Sequence, residues 1–275
     1  MLTLRLAAVP AALLTALAVV VLPGAPAGAG ADIEYPKLGI SPAGANDWSC
    51  VPTADRPHPA VLVHGTFGDQ QSLLDPLSVR LKRDGYCVFS LDYGNRGTGP
   101  IENSASELAA FVDQVLSATG AAKVSLVGHS QGGMMPRYYI KNLGGASIVE
   151  DLVGVAPSNH GTEVAGSFSA GDNCTACDQQ RAGSPFLTEL NSGDETPGEV
   201  DYTQITTKTD EVVVPYTSGF LTPGPASTNI VIQDSCALDG SEHLSVIFSQ
   251  TTIKWTLNAL NREGPADPAA PIACA

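Results

Sequence analysis

The chain has 275 residues, of which 43% are hydrophobic and 15% are charged, a composition typical of a globular protein. Its formal net charge of -14 weighs against a nucleic-acid partner and against electrostatic docking on an anionic membrane. This charge does not exclude adsorption to a neutral oil surface, which depends on apolar area instead.

The N-terminus has the features of a secretory signal. Arg5 supplies a positive charge, residues 11–22 form an apolar run, and small residues at 27–31 suit a signal peptidase. The run is shorter than the roughly 20 residues that a membrane span needs, which favours cleavage over a stable membrane anchor. We therefore predict a signal peptide at 1–31 and a single exported domain at 32–275.

Apolar runs alternate with helical patterns along the rest of the chain, which predicts an α/β fold with a mostly parallel central sheet flanked by helices on both faces. Strands are predicted at 60–63, 87–91, 124–127, 152–156, 204–206 and 230–232. Helices are predicted from a capping box at 104–107 to Gly120, at 134–143 and at 244–260. Residues 157–201 are rich in Gly, Ser, Asp and Asn, which predicts a loop-rich insertion.

The pentapeptide GHSQG at 128–132 matches the G-x-S-x-G nucleophile elbow, and it lies between a predicted strand and a predicted helix. The sharp turn forces strained backbone angles on Ser130, and larger side chains in place of Gly128 and Gly132 would collide. The elbow would leave the Ser130 hydroxyl at a helix N-terminus, where a developing anion is favoured. Ser130 is therefore the predicted nucleophile.

A serine nucleophile needs a base and an orienting acid, which follow it in the order serine, acid, histidine in this class of site. Among the five histidines only His243 comes late, just before the last predicted helix, and it is the predicted base. His129 is expected to point away from the nucleophile. Asp210 is the predicted acid because it follows a strand-like segment, with Glu211 as the runner-up and Asp201 as a weaker alternative.

An ester-cleaving serine also needs an oxyanion hole. One donor is expected to be the backbone N–H of Gln131, directly after the nucleophile. The second is expected from the loop after the first strand, where Gly65 permits a close approach and Thr66 offers its N–H. The Thr66 hydroxyl is a further candidate donor.

Export would place the six cysteines in an oxidising environment, where 15 complete pairings are possible and the sequence alone does not choose among them. Cys174 and Cys177 form a C-x-x-C pair. Zinc would require a second such pair, which is absent from the sequence, so a local disulfide is favoured.

The motifs HGTFGDQQS, GHSQGG, APSNHGT, KTDEVVVP and CALDGSEHLS resemble those of the secreted bacterial class 2 triacylglycerol lipases and, more distantly, Candida antarctica lipase B. The resemblance implies the α/β-hydrolase fold, a triad of Ser130, Asp210 and His243, and an oxyanion hole of Thr66 and Gln131. It also implies the disulfides Cys50–Cys87, Cys174–Cys177 and Cys236–Cys274, and neither a metal nor a cofactor.

These expectations combine into a secreted, extracellular and monomeric serine ester hydrolase that acts on triacylglycerol, a lipid substrate presented at an oil–water interface. A short-chain carboxylesterase or a polyester or cutin hydrolase would use the same machinery. An acyltransferase and an inactive binding protein on a hydrolase scaffold are further alternatives.

Overall fold

Six parallel strands form the centre of the protein, which is described from a computed structural model over residues 38–164 and 173–274. The predicted signal peptide at 1–31 lies outside the described residues, as do residues 165–172 of the predicted insertion. The described residues form one compact unit.

The strands are β1 (Ala60–Val63), β2 (Val88–Leu91), β3 (Val124–His129), β4 (Val149–Val155), β5 (Asp201–Thr206) and β6 (Ser227–Val231). They are arranged in the order β2-β1-β3-β4-β5-β6, and every neighbouring pair is parallel. The carboxyl ends of all six strands therefore meet at one edge of the sheet, where ligand sites of such folds are built. The predicted α/β architecture is confirmed.

In the described part of the chain, eight α-helical segments accompany the sheet. They are α1 (Gln70–Arg83), α2 (Gly94–Gly97), α3 (Ile101–Thr119), α4 (Gln131–Asn142), α5 (Thr175–Gln179), α6 (Pro185–Leu190), α7 (Ile232–Ser235) and α8 (Gln250–Leu260). The segment α2 is a single turn in which Asn95 and Arg96 have positive φ. The described part of the predicted insertion thus contains two short helices, α5 and α6.

Each face of the sheet is covered by its own helices. Alternate residues of β1 show this, because Leu62 belongs to a buried cluster with Leu77 of α1 and Ile253 of α8. Its neighbour Val61 belongs to a second cluster, on the opposite face, with Leu108 of α3. Strands buried on both faces are apolar throughout, which explains their continuous hydrophobic runs.

The predicted capping box at residues 104–107 is wrong, because α3 begins at Ile101 and not after Ser104. Pro100 precedes the first helical residue, and its carbonyl already accepts the backbone N–H of Ser104 at 3.1 Å. The Ser104 hydroxyl donates back to the same carbonyl, while Glu107 accepts the N–H of Gly94. Ser104 is therefore a residue of the first turn, not its cap.

The last predicted helix also begins later than expected. A single 3₁₀ turn at Val246–Phe248 comes first, and Ser249 then caps α8 by accepting the N–H groups of Thr251 and Thr252. Leu244, the first residue of the predicted helix, is 56% exposed. Hydrophobic spacing alone predicts one helix over 244–260, but Ser249 caps α8 and so separates this helix from the preceding 3₁₀ turn.

Asp151 makes the stability of the fold pH-dependent. Burial, together with the charges of Asp201 and Glu150, raises the pKa of this β4 carboxyl to about 7, although the Ser125 hydroxyl and Lys123 oppose the shift. An unfolded aspartate titrates near pH ~4, so the native state holds more protons between about pH 4 and pH 7. Stability from this group is complete below pH ~4 and is lost as the pH rises toward 7.

As the pH rises from 5 to 8, we therefore expect the unfolding free energy of Asp151→Asn to increase relative to that of the wild type by about 3 kcal/mol, because roughly two pH units of the titration fall in this interval at ~1.4 kcal/mol each. Denaturant titrations at each pH measure this difference, with exposed Asp234→Asn as the matched control. Parallel pH profiles for the wild type and Asp151→Asn would contradict the prediction.

Candidate active site

Ser130 occupies a strained turn between β3 and α4. Its φ of 55° and ψ of -124° lie in a region that a non-glycine residue adopts at an energetic cost. The flanking glycines are required sterically, since a Cβ on Gly128 would lie 1.8 Å from the carbonyl oxygen of Gly132. A Cβ on Gly132 would lie 2.3 Å from the carbonyl oxygen of Val63. The structure thus contains the strained, glycine-flanked turn that the sequence predicts at Ser130.

This crowding predicts that Gly128→Ala strongly destabilises the native state. The added Cβ would collide with the backbone of Gly132 and Gly133, which cannot move aside as a flexible side chain could. The expected result is a loss of several kcal/mol of unfolding free energy, measured by thermal and denaturant unfolding. Gly224→Ala is the matched control, since a Cβ there meets no atom within 4 Å and the backbone φ is not positive. A Gly128→Ala protein as stable as this control would contradict the packing argument.

His243 and Asp210 form a buried pair at the carboxyl edge of the sheet. Nδ1 of His243 lies 2.9 Å from Oδ2 of Asp210, and the two side chains are only 3% and 1% exposed. Since the carboxylate accepts the Nδ1 proton, Nε2 of the neutral imidazole is left with a lone pair. That is the tautomer that a general base requires.

The second carboxylate oxygen of Asp210 is fixed by the backbone. Oδ1 accepts the N–H groups of Val212 at 2.9 Å and Val213 at 2.7 Å, so the side chain cannot rotate away from His243 without losing both bonds. The runner-up Glu211 contacts the backbone N–H of His243, at 3.3 Å, and the side chain of Glu242, whereas Asp210 contacts the imidazole. The weaker candidate Asp201 is the first residue of β5 and lies at the opposite edge of the sheet.

His129 does not point away from the site, and the expectation that it does is wrong. Its Nε2 donates to the carbonyl oxygen of His243 at 2.8 Å, and the two rings are 4.9 Å apart. Burial, reinforced by the nearby His243, lowers the pKa of His129 to about 3, so its ring is neutral near pH 7. His129, the residue before Ser130, therefore braces the loop that carries His243.

The loop after β1 is held against the elbow by several contacts. The Tyr93 hydroxyl donates to the carbonyl of His64 at 2.6 Å, and the N–H of Phe67 donates to the carbonyl of Arg96 at 2.7 Å. Phe67 itself has a φ of 62°. These contacts bring Thr66 beside Gln131, with 3.1 Å between the hydroxyl of Thr66 and Oε1 of Gln131.

Two residues that sequence reasoning does not identify also belong to this site. Gln180, which directly follows α5, donates from Nε2 to the Thr66 hydroxyl at 2.9 Å. The Ser158 hydroxyl in turn donates to Oε1 of Gln180 at 2.8 Å. Both lie in the predicted insertion, where no strand or helix period indicates which side chains turn inward. A contact across 114 positions of the chain has no signature in the local sequence.

A cavity of about 280 Å³ is lined by three of the predicted site residues. Ser130, His243 and Thr66 lie on its wall beside apolar side chains, which are Leu73, Val212, Val213 and Leu244. Phe67 and Leu244 are 39% and 56% exposed. A larger groove of about 570 Å³ lies beside α5 and α6, but it contains none of the predicted site residues.

The six cysteines are joined as Cys50–Cys87, Cys174–Cys177 and Cys236–Cys274. These are the pairs that the resemblance implies. Within residues 38–164 and 173–274, no group of three or more His, Cys, Asp or Glu side chains is arranged to hold a metal ion. The same residues contain no helix of the length and apolarity that a membrane span requires.

The sequence has well-defined relatives. The profile of the family described as Lipase (class 2) matches residues 57–256. A triacylglycerol lipase of Vibrio cholerae is 37% identical over 124 residues, or 38% of this chain and 39% of that protein. A triacylglycerol lipase of Pseudarthrobacter phenanthrenivorans is 38% identical over 93 residues, or 30% of this chain and 27% of that protein. The matches thus span well under half of these relatives' lengths.

Solved structures share the fold at low sequence identity. Aspergillus fumigatus lipase B superposes with a TM-score of 0.69 and 20% identity, covering 83% of this chain and 57% of that one. A Bacillus licheniformis lipase in its propeptide form superposes with a TM-score of 0.57 and 18% identity, covering 86% and 55%. At these identities the similarity establishes the architecture alone.

Proposed function

Because this chain belongs to the class 2 lipase family, we propose that it is a secreted triacylglycerol lipase that works through a Ser130–His243–Asp210 triad and an acyl-enzyme. Its relatives from Vibrio cholerae and Pseudarthrobacter phenanthrenivorans are triacylglycerol lipases, which supports an acylglycerol substrate. The family also supports the broader class of carboxylic ester hydrolase.

One observation carries this proposal: three chemical roles converge on one apolar cavity. The strained Ser130 and His243 share its wall with the loop that contains Thr66, and the buried Asp210 holds His243 from behind. A structural role explains neither the positive φ at Ser130 nor a histidine fixed in the tautomer of a base. Apolar surroundings strengthen each electrostatic interaction because they exclude water.

The reaction begins when Ser130 Oγ attacks the ester carbonyl carbon while His243 Nε2 removes its proton. The carbonyl oxygen becomes an oxyanion, which the backbone N–H groups of Thr66 and Gln131 stabilise. Gln131 is the first residue of α4, so its N–H has no partner within the helix and remains free for this role. His243 then gives the proton to the departing alcohol, and water repeats the sequence on the acyl-enzyme.

Asp210 keeps His243 productive throughout. Its carboxylate holds the Nδ1 proton and stabilises the imidazolium that forms when His243 takes the serine proton. The carbonyl contact from His129 holds the other side of the same residue. His243 is therefore fixed both at its imidazole ring and at its backbone carbonyl before substrate binds.

The cavity volume bears on chain length. About 280 Å³ lies at the lower end of the ~300–1,000 Å³ that small-molecule sites provide. A long acyl chain would extend past the mouth, along the exposed Phe67 and Leu244. This observation keeps a short-chain carboxylesterase as the second candidate, and it makes chain length the decisive measurement.

The test is hydrolysis of a p-nitrophenyl ester series from butyrate to palmitate, followed by emulsified triacylglycerol. Retained activity on long chains supports a lipase, whereas activity confined to butyrate supports an esterase or a polyester hydrolase. Labelling by a fluorophosphonate probe would separate either enzyme from an inactive scaffold, which would not react. Product analysis with added alcohol would reveal an acyltransferase.

We also propose that residues 1–31 are removed on export and that the mature protein is an extracellular monomer. Three disulfides support an oxidising compartment. N-terminal sequencing of the protein from culture medium tests the cleavage, and light scattering tests the oligomeric state. Intact residues 1–31 on the secreted protein would contradict the assignment.

A further inference from the structure

Gln180 has a defined orientation that determines where the Thr66 hydroxyl proton can go. Its Nε2 contacts the carbonyl oxygen of Ala176 at 3.1 Å and the hydroxyl of Thr66 at 2.9 Å. Because a carbonyl oxygen only accepts hydrogen bonds, the Gln180 atom beside Ala176 must be the NH₂ group. The second proton of that group is therefore donated to Thr66.

Gln131 fixes the other end of the chain of hydrogen bonds by the same logic. Its Nε2 donates to the carbonyl oxygen of Gly97 at 3.0 Å, which leaves Oε1 facing the Thr66 hydroxyl at 3.1 Å. The hydroxyl accepts from Gln180 and must donate its own proton to Gln131. The direction is thus Gln180 to Thr66 to Gln131, and it follows from carbonyl partners at both ends.

We propose that Gln180 is a positioning residue for ester hydrolysis, holding the Thr66 hydroxyl so that its single proton can turn from Gln131 to the oxyanion. The inference rests on the proposed function, and it concerns a residue in the segment between β4 and β5. Gln180 does not touch the reacting atoms in this role. It acts by keeping the oxygen of Thr66 in place and occupied as an acceptor.

The environment of Gln180 suits this role. The residue is 7% exposed, its Oε1 accepts from Ser158 at 2.8 Å, and it lines the same cavity as Ser130. Every polar atom of the side-chain amide is therefore engaged, which leaves one orientation. A hydroxyl that accepts a hydrogen bond also becomes a better donor, because bonds in a chain polarise one another. The oxyanion would receive a preorganised donor without reorganisation of the loop.

The test begins with Gln180→Met, which keeps the length of the side chain and removes the amide. We expect kcat on p-nitrophenyl butyrate to fall by about 10-fold to 10²-fold, with KM nearly unchanged, because the lost interaction strengthens only in the transition state. Gln179→Met is the matched control: Gln179 lies on the same turn but contacts Glu102 and the N–H of Ile101 instead. It should retain wild-type kcat.

A double-mutant cycle with Thr66→Val separates positioning from general structural support. Thr66→Val removes the hydroxyl but keeps the backbone N–H. If Gln180 acts through that hydroxyl, Gln180→Met should cause no further loss of kcat in the Thr66→Val background. A loss that multiplies in the double variant, or a single Gln180→Met variant with wild-type kcat, would overturn the proposal.

Gln180→Glu provides a second variant of nearly the same size and the opposite hydrogen-bonding character. A carboxylate only accepts, so it would draw the Thr66 proton toward itself, and we expect kcat at or below that of Gln180→Met. Wild-type kcat in this variant would overturn the proposal. Should Gln180→Met prove unstable, full activity of folded Thr66→Val would overturn it as well.

Failure of this inference can be distinguished from failure of the proposed function. If the wild type neither hydrolyses the ester series nor reacts with a fluorophosphonate, the proposed function fails and the inference fails with it. If the wild type does both and Gln180→Met matches it, only the role of Gln180 is lost.

Discussion

Replacing Ser130 with alanine should reduce ester hydrolysis to the background rate, a loss of roughly 10⁶-fold in kcat by comparison with other serine hydrolases. The change removes the only atom that forms the acyl bond, while His243 and the oxyanion donors remain. The alanine inherits a φ of 55°, so folding must be checked alongside activity. Initial rates on p-nitrophenyl butyrate and thermal unfolding of the same preparation measure both.

Ser106→Ala is the matched control, because its hydroxyl only bonds a carbonyl within α3. Fluorophosphonate labelling provides an independent measurement: the wild type and the control should label, and Ser130→Ala should not. Substantial hydrolysis by folded Ser130→Ala would remove Ser130 as the nucleophile, and the mechanism with it.

Asp210→Asn should lower kcat by about 10⁴-fold while leaving the fold intact. The N–H groups of Val212 and Val213 both point at Oδ1, so they would hold the amide oxygen of the asparagine there. The amide NH₂ would then face Nδ1 of His243 and force that nitrogen to accept. The proton would move to Nε2, where it prevents the imidazole from taking the proton of Ser130.

Glu211→Gln discriminates between the two adjacent carboxylates. Glu211 contacts the backbone N–H of His243 and the side chain of Glu242 rather than the imidazole, so its loss should change kcat by less than about 10-fold. Asp234→Asn, at an exposed ion pair with Lys208, should have no effect. If Glu211→Gln were the damaging change and Asp210→Asn a mild one, the assignment of the acid would be reversed.

The sequence alone predicts the parts of this molecule that are governed by local chemistry. The six strands are found near their predicted positions, and β1 to β4 are recognisable because strands buried on both faces are mostly apolar. The elbow is recognisable because two glycines at fixed spacing are a steric requirement of the turn. The order of serine, acid and histidine can be read because each residue comes after a different predicted strand along the chain.

What the sequence does not predict depends on contacts between distant segments. Helix α1 begins after the Asp69 cap, but its polar residues weaken the apolar period, so the sequence pattern does not distinguish it from a loop. The contact of His129 with His243 joins residues 114 positions apart, and that of Gln180 with Thr66 spans the same distance. Such contacts form only when the chain is folded, and the sequence around one residue does not indicate which residue it will contact.

The all-parallel sheet also has a kinetic consequence for how activity appears during folding. Parallel neighbours cannot be joined by a tight hairpin, so each pairing must wait for a crossover segment to close. Thr66, Ser130, Asp210 and His243 follow four different strands, and none of them is near another until those strands have paired. Recovered hydrolysis after dilution from denaturant would therefore report completion of the whole sheet, later than any signal from individual helices.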